Sequence, residues 1–402
     1  MVTVATGDTT ELGALAADGP LALYVHWPFC VSKCPYCDFN SHVRESIDQR
    51  AFRDAYVVAL EAWAERLSDR ELVSIFFGGG TPSLMEPDTA ATVITTAKRL
   101  WRASDALEVT LEANPNSAEA QRFRAFADGG VSRISIGVQA FDNEALRLLG
   151  RAHDSAEAIA AVRAATIAVS RVSLDLIYAR PSQTVAAWTD ELARALDLGT
   201  SHISAYQLTI EKGTPFFGMA QRGTLAVPDE DTQAALYEAT QETLGRHGLP
   251  AYEISNHARP GAECRHNLVY WRYGDYVGIG PGAHGRLTHA DRSTGVATAG
   301  HRKPEAWLDA TLAGNTLALV ETGELTRDER IREMTMMGLR LTNGIARRDF
   351  DRVAGDPIEQ VFDGATLGRL VDGGFLVIDD AGIRATAGGR ARLNAVLAAL
   401  LP

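Results

Sequence analysis

LALYVHWPFCVSKCPYCDFN, residues 21–40, joins two signals. Its first half is a run of Leu, Tyr, Val and Trp without turn residues, the composition of a buried strand. Its second half is a loop carrying Cys30, Cys34 and Cys37 in C-x3-C-x2-C spacing. Parallel α/β folds bind their ligands at the carboxyl ends of strands, where this loop lies. Soft thiolates favour iron–sulfur or zinc. Three ligands on a four-iron cube leave one iron without a protein ligand, open to a chelating cofactor or substrate. The zinc alternative needs a fourth ligand, which His26 or His42 is near enough to supply.

Outward from this stretch the strand-then-helix order repeats. Strand candidates occupy residues 21–25, 72–77, 107–111, 133–138, 171–177 and 202–208. Helical stretches such as AFRDAYVVALEAWAERL and DTAATVITTAKRLW lie between them. Six such units predict an α/β fold with a parallel sheet, curled into a partial (β/α)6 barrel over residues 19–255. Residues 1–18, small and polar, read as a flexible tail. Residues 256–324 are rich in aromatics, Gly and His without helical period, and read as an extension or linker. Residues 325–402 read as a small helical domain. Two short strands around its DDAG suggest a winged-helix-like module.

The 402 residues are 46% hydrophobic and 22% charged, ordinary for a globular protein. A formal charge of −12 argues against a nucleic-acid partner. In the tail, Arg347, Arg348, Arg384, Arg390 and Arg392 are interleaved with Asp349, Asp351, Asp379 and Asp380. That balance favours a packing or acceptor-docking module over DNA binding. No leader pattern and no run of membrane-spanning length is seen, so the expectation is a cytoplasmic protein with reduced thiols, not an integral membrane protein.

Further motifs follow the strands in order: GGGTPS, EANP, GVQAF, LGRAH, LDLIYARPSQT, HISAYQLTIEKGTPF and CRHNLVYW. Taken singly, GGGTP is a plain turn, with no G-K-[ST] to make it a phosphate loop. Glu112, Gln139, Arg151 and Asp175 taken singly are solvated or capping residues. As an ordered series, together with YVHWPFC and the cysteine loop, the motifs resemble the radical SAM superfamily, in its coproporphyrinogen-oxidase-like branch. The resemblance implies a [4Fe–4S] cluster on Cys30, Cys34 and Cys37 with S-adenosylmethionine (SAM) at the open iron. It implies that Gly79, Gly80 and Thr81 hold the methionine amino group. Glu112, Gln139, Arg151 and Asp175 then form the rest of a SAM cage, with Tyr24 and Tyr36 beside it. A guanidinium suits the methionine carboxylate, and carboxylate or amide oxygens suit ribose hydroxyls. One segment departs from the pattern: the usual LIYGLPGQT is LIYARPSQT here, with Ala179, Arg180 and Ser182 for Gly, Leu and Gly.

The branch holds porphyrinogen oxidases and heme chaperones. Oxidases carry a further cysteine two residues past the cluster motif, where this chain has Phe39, and a longer segment than the 23 residues that precede Tyr24 here. Both differences favour heme binding and transfer to acceptor proteins, among them respiratory enzymes at the membrane face, with peripheral membrane association. The alternatives are oxygen-independent coproporphyrinogen III oxidation and SAM-dependent modification of heme itself. His266 in HNLVYW is a candidate heme ligand, with Tyr270 and Trp271 against the porphyrin. The same residues also read as a packed, hydrogen-bonded histidine among core aromatics. Cys264 is a rival ligand or a small buried hydrophobe.

Overall fold

The computed structural model describes residues 12–401. Its centre is a run of six neighbouring parallel strands: β1 (Pro20–Trp27), β2 (Glu71–Gly79), β3 (Arg102–Ala113), β4 (Arg133–Gln139), β5 (Arg171–Tyr178) and β6 (His202–Gln207). Each expected strand is present, several of them longer at their ends than the apolar runs alone suggest. The two quoted helical stretches form Gln49–Ala64 and Pro87–Leu100.

Alternation along these strands separates two faces. Leu23, Val25, Ile75, Phe77, Ile134, Ile136, Leu174, Leu176 and Ile203 pack in the main apolar core with helix residues such as Trp63, Val93, Val162 and Leu192. The intervening residues, among them Tyr24, Ser74, Glu112, Ser135, Asp175 and Ser204, form a largely polar inner face. A polar inner face needs ligands, internal hydrogen bonds or water, so the site belongs there.

The sheet does not end at residue 255. β7 (Asn256–Ala258) adds antiparallel to β6 at one edge. Beyond the other edge, β8 (Tyr276–Ile279) pairs parallel with β1, and β9 (His284–Thr288), β10 (Gly295–Gly300) and β11 (Val320–Leu325) follow antiparallel. Residues 256–324 therefore extend the sheet at both edges, with helices between the added strands, where the sequence suggested an extension or linker. Their strands are short and glycine-bearing because they pass close to other backbone: a Cβ at Gly278 would lie 2.2 Å from the His284 carbonyl oxygen. That spacing hides the strand period from a sequence pattern.

The expected tail is also revised over its described part; residues 1–11 lie outside the described residues. Leu12 and Ala16 are buried, and the Ala16 amide donates to the Thr288 carbonyl at 2.9 Å. Buried Arg70 donates to the carbonyls of Ala16, Gly19 and Pro20 and pairs with Asp275 at 2.9 Å. A buried guanidinium needs such acceptors, and small polar residues with accessible carbonyls supply them.

Residues beyond β11 build a second core around Ile331, Met334, Phe350, Ile358, Leu376 and Ile383. A three-stranded sheet closes it: β12 (Ile345–Ala346), β13 (Leu376–Asp379) and β14 (Gly382–Ala385). β13 and β14 form the hairpin expected around DDAG. No helix among the described residues is long and apolar enough to cross a membrane.

Candidate cofactor site

The cysteine loop leaves β1 and closes at its base, where Phe29 and Cys30 pair with His42 and Val43. Three contacts from distant segments fix its course. The Phe216 amide donates to the Pro35 carbonyl at 3.0 Å. Asn40 Nδ2 donates to the carbonyls of Pro281 and Arg302, both at 2.9 Å. His26 Nε2, held neutral with its pKa lowered to about 4 chiefly by burial, donates to the Asn40 carbonyl at 2.9 Å.

The glycines of GGGTP are needed for close approach. Gly79 has φ 111°, and a Cβ there would lie 2.6 Å from the His26 ring. A Cβ on Gly80 would meet the Phe29 carbonyl oxygen at 2.6 Å. The turn thus seats against the cysteine loop, with the Thr81 amide donating to the Phe29 carbonyl at 2.8 Å.

A ring of side-chain hydrogen bonds then joins two of the cysteines. Thr81 Oγ1 donates to Cys30 Sγ at 3.5 Å and accepts from Asn114 Nδ2 at 2.9 Å. Arg151 Nη2 donates to Asn114 Oδ1 at 2.5 Å, and its Nη1 donates to Cys34 Sγ at 3.5 Å. Arg151 therefore points at the sulfur side of the site as well as into the cavity. Asn114 is held by its backbone amide, which donates to Glu119 at 3.0 Å. Burial raises the pKa of the Cys30 and Cys37 thiols, so a cationic metal centre is needed to draw them into thiolate form.

All of this lines one cavity of about 400 Å3. Cys30, Cys34, Cys37 and Tyr36 form its upper side, and Gly79, Gly80, Thr81, Glu112, Gln139, Arg151 and Asp175 lie around it. Eleven of the thirteen residues expected from the sequence thus meet in one place. Glu112 and Asp175 are both half-buried on the inner face of β3 and β5, and Ser135 Oγ donates to Asp175 at 3.3 Å. Burial first, then the neighbouring Asp175 charge, pushes Glu112 up to about 8.

The donor set fits a cluster with a chelated cofactor. Gln139 Oε1 and Arg151 Nε are buried without a protein partner, as polar groups awaiting a ligand would be. Among the described residues no three Cys, His, Asp or Glu side chains converge closely enough to hold one ion. The mononuclear zinc alternative requires such convergence, whereas separate irons of a cube accept thiolates spread along one wall.

Two expected residues lie elsewhere. Tyr24 sits in the wall beneath Gly78, and its hydroxyl is hydrogen-bonded to His26 Nδ1 at 3.0 Å. His266 opens the short helix Arg265–Trp271, which packs against the inner face of β2 below the cavity. Its Nδ1 is bonded to Ser74 Oγ at 2.9 Å and its Nε2 to the Tyr270 hydroxyl at 2.7 Å. The ring stacks on Phe76 with centroids 4.9 Å apart, and burial lowers its pKa to about 3. With both nitrogens engaged and 1% exposure, His266 offers no free ligand atom to a heme. This matches the packed alternative, with His266 as the buried residue of a helix seated on the inner face of β2. Cys264 is fully buried against Glu108, its thiol pushed up to about 11, chiefly by burial.

Sequence reasoning missed Asn114, Asn40 and His153. Asn114 and His153 lie within EANP and LGRAH, so the motifs held the signal. His153 lines the cavity with Nε2 at 3.1 Å from the Val138 carbonyl.

Comparison with known proteins agrees with this geometry. The family model for the radical SAM superfamily matches residues 24–194, and that for the HemN C-terminal domain matches residues 325–392. The chain is 39% identical to the Mus musculus radical S-adenosyl methionine domain-containing protein 1, mitochondrial, over 95% of this chain and 87% of that one. It is 38% identical to the heme chaperone HemW of Haemophilus influenzae, over 84% of this chain and 86% of that one. Its fold is similar to the solved structure of Escherichia coli coproporphyrinogen III oxidase (HemN), with TM-score 0.77, 22% identity, and 97% and 91% of the two chains covered. The ordered motifs, the shared cavity and these matches over most of the chain place it in the radical SAM superfamily, among the HemW-like proteins.

Proposed function

We propose that this chain is a heme chaperone: it binds heme and passes it to acceptor proteins, with a [4Fe–4S] cluster on Cys30, Cys34 and Cys37 and SAM at the open iron. The observation that carries the reading is Phe39. It lines the cavity mouth with 62% of its surface exposed, at the position where oxidases of this branch carry a further cysteine. Val31, 64% exposed, stands at the same mouth. Apolar side chains facing outward at a cofactor site suit a large flat apolar cargo better than a sealed reaction chamber. The similarity to proteins named heme chaperones points the same way.

In this reading Gly79, Gly80 and Thr81 receive the methionine amino end, and Arg151 the carboxylate. Glu112, Gln139 and Asp175 hold the ribose, and Tyr36 covers the site. Cys30, Cys34 and Cys37 would hold the cluster, and when reduced it would supply the electron for cleavage of SAM. This chain's own residues orient the cofactor and satisfy its polar groups. The acceptors we propose are respiratory enzymes at the membrane face.

Anaerobic absorbance titration of the cluster-loaded protein with heme tests the reading. The expected result is a saturable Soret change at one heme per chain, retained in His266→Ala, followed by loss of the signal to an added apo-acceptor. Sustained decarboxylation of coproporphyrinogen III with SAM, without heme binding, would establish the oxidase reading instead.

A further inference from the structure

The departing LIYARPSQT segment follows β5 and lies beside the turn that presents Gln139. Gln139 has φ 65°, a left-handed conformation that is costly for a residue with a side chain. The pairing of β4 with β5 shifts between Ile136 and Gln139, and the ladder resumes only at Gln139 opposite Leu176. At such an irregularity the sheet fixes the backbone less firmly than a regular ladder does, and contacts from neighbouring elements add to it.

Two residues on, the Phe141 peptide is gripped on both sides by one helix, Val185–Leu196. Its amide donates to Glu191 Oε1 at 2.6 Å, and its carbonyl accepts from Arg194 Nη1 at 3.0 Å. Glu191 is itself buried and held by the departing segment. Arg180 Nη1 donates to Glu191 Oε1 at 3.3 Å, and Arg180 Nη2 pairs closely with the other oxygen. Gln183 Nε2 adds a bond at 3.3 Å. Ala179 and Ser182, which stand where the family pattern has glycine, keep left-handed backbones with φ 56° and 60°. The segment therefore retains a glycine-type path without glycine, and the guanidinium it carries lands on Glu191.

We infer that Arg180 and Glu191 form an internal clamp that fixes the Gln139 turn, making them positioning residues for cofactor binding. The inference rests on the cavity being the SAM site. Neither clamp residue reaches the cavity; both act through the Phe141 peptide. The buried, unpartnered Gln139 Oε1 is the atom whose position they set.

The test compares wild type with Glu191→Leu, Glu191→Gln and Arg180→Leu, each full length and loaded with cluster. Hydrogen exchange is followed in residues 138–142, and SAM affinity by equilibrium dialysis. Loss of a buried charged partner should speed exchange and raise the SAM Kd by about tenfold in Glu191→Leu and Arg180→Leu. Glu191→Gln keeps an oxygen for the Phe141 amide and should cost about threefold. Iron content should not change. Exchange within twofold of wild type, roughly the scatter between independent neutral substitutions, would overturn the clamp. Faster exchange with unchanged SAM affinity would overturn its link to Gln139. A wild type that binds no SAM would sink the cofactor reading, and exchange alone would then decide whether the clamp exists.

Discussion

Glu112 and Asp175 show how two carboxyls in one wall divide their work. With Glu112 pushed up to about 8, its carboxyl is mostly protonated at neutral pH and can donate a hydrogen bond. Burial raises Asp175 as well, but the hydroxyls of Ser204 and Ser135 and the charges of Arg133 and Arg151 oppose that rise, so Asp175 is the readier acceptor. Glu112→Gln, which keeps a donor, should hold SAM affinity within about threefold, while Asp175→Asn should weaken it by about tenfold or more. Equal losses in equilibrium dialysis would refute that division. Both residues were legible in the sequence, because each is a carboxyl interrupting an apolar strand inside an ordered motif. Asn114 was not: an Asn before Pro reads as a turn, and nothing in its spacing shows an amide joining Thr81 to Arg151. Tyr24 lies on the expected strand and on its inner face, half-buried, with its hydroxyl bonded to His26. Alternation gives the face of a residue, not which neighbour its tip meets.

The helix Arg265–Trp271 carries the clearest revision at the scale of an element. At seven residues it is two turns long, too short to reveal a period, and its aromatics resemble a flat ligand site. In place, its His266 is held by Ser74, Phe76 and Tyr270. Removing the ring leaves a void and two unsatisfied hydroxyls. His266→Ala should therefore cost about 2–4 kcal/mol of unfolding free energy in urea titrations. A change below about 0.5 kcal/mol, the range of surface substitutions, would argue against the packed reading of His266. The six parallel strands were readable because their outer faces are near-continuous apolar runs. β8 to β11 were not, since their glycines and polar residues answer to contacts with distant backbone.

Across the whole molecule, buried histidines set the response to acid. His26, His153 and His257 are lowered to about 4 and His266 to about 3, and His202 well below its ordinary value, in each case chiefly by burial. The unfolded chain takes up protons on these rings below pH 6.5, and the folded chain does not until near pH 4. Stability is thus full above the unfolded value and falls as pH drops through that window. Each ring contributes up to about 1.4 kcal/mol per pH unit. Three carboxyls raised chiefly by burial, Glu112, Glu119 and Asp175, work in the opposite sense, Glu112 between its ordinary value and about 8, and are outnumbered by the five rings. Urea midpoints should fall between pH 7 and pH 5; a flat or rising profile toward acid would contradict this. One contact also reaches into how the molecule comes into being. Asn40, at the end of the cysteine loop, is anchored to carbonyls 241 and 262 positions later in the chain, and β1 has β8 as one of its two neighbours. A nascent chain emerges from the ribosome with its thiols long before either anchor exists. The loop near the beginning is therefore among the last parts to take shape. Delivery of iron and sulfide has to wait for a nearly finished polypeptide, and a chain truncated before residue 276 would present the three cysteines without the scaffold that aligns them.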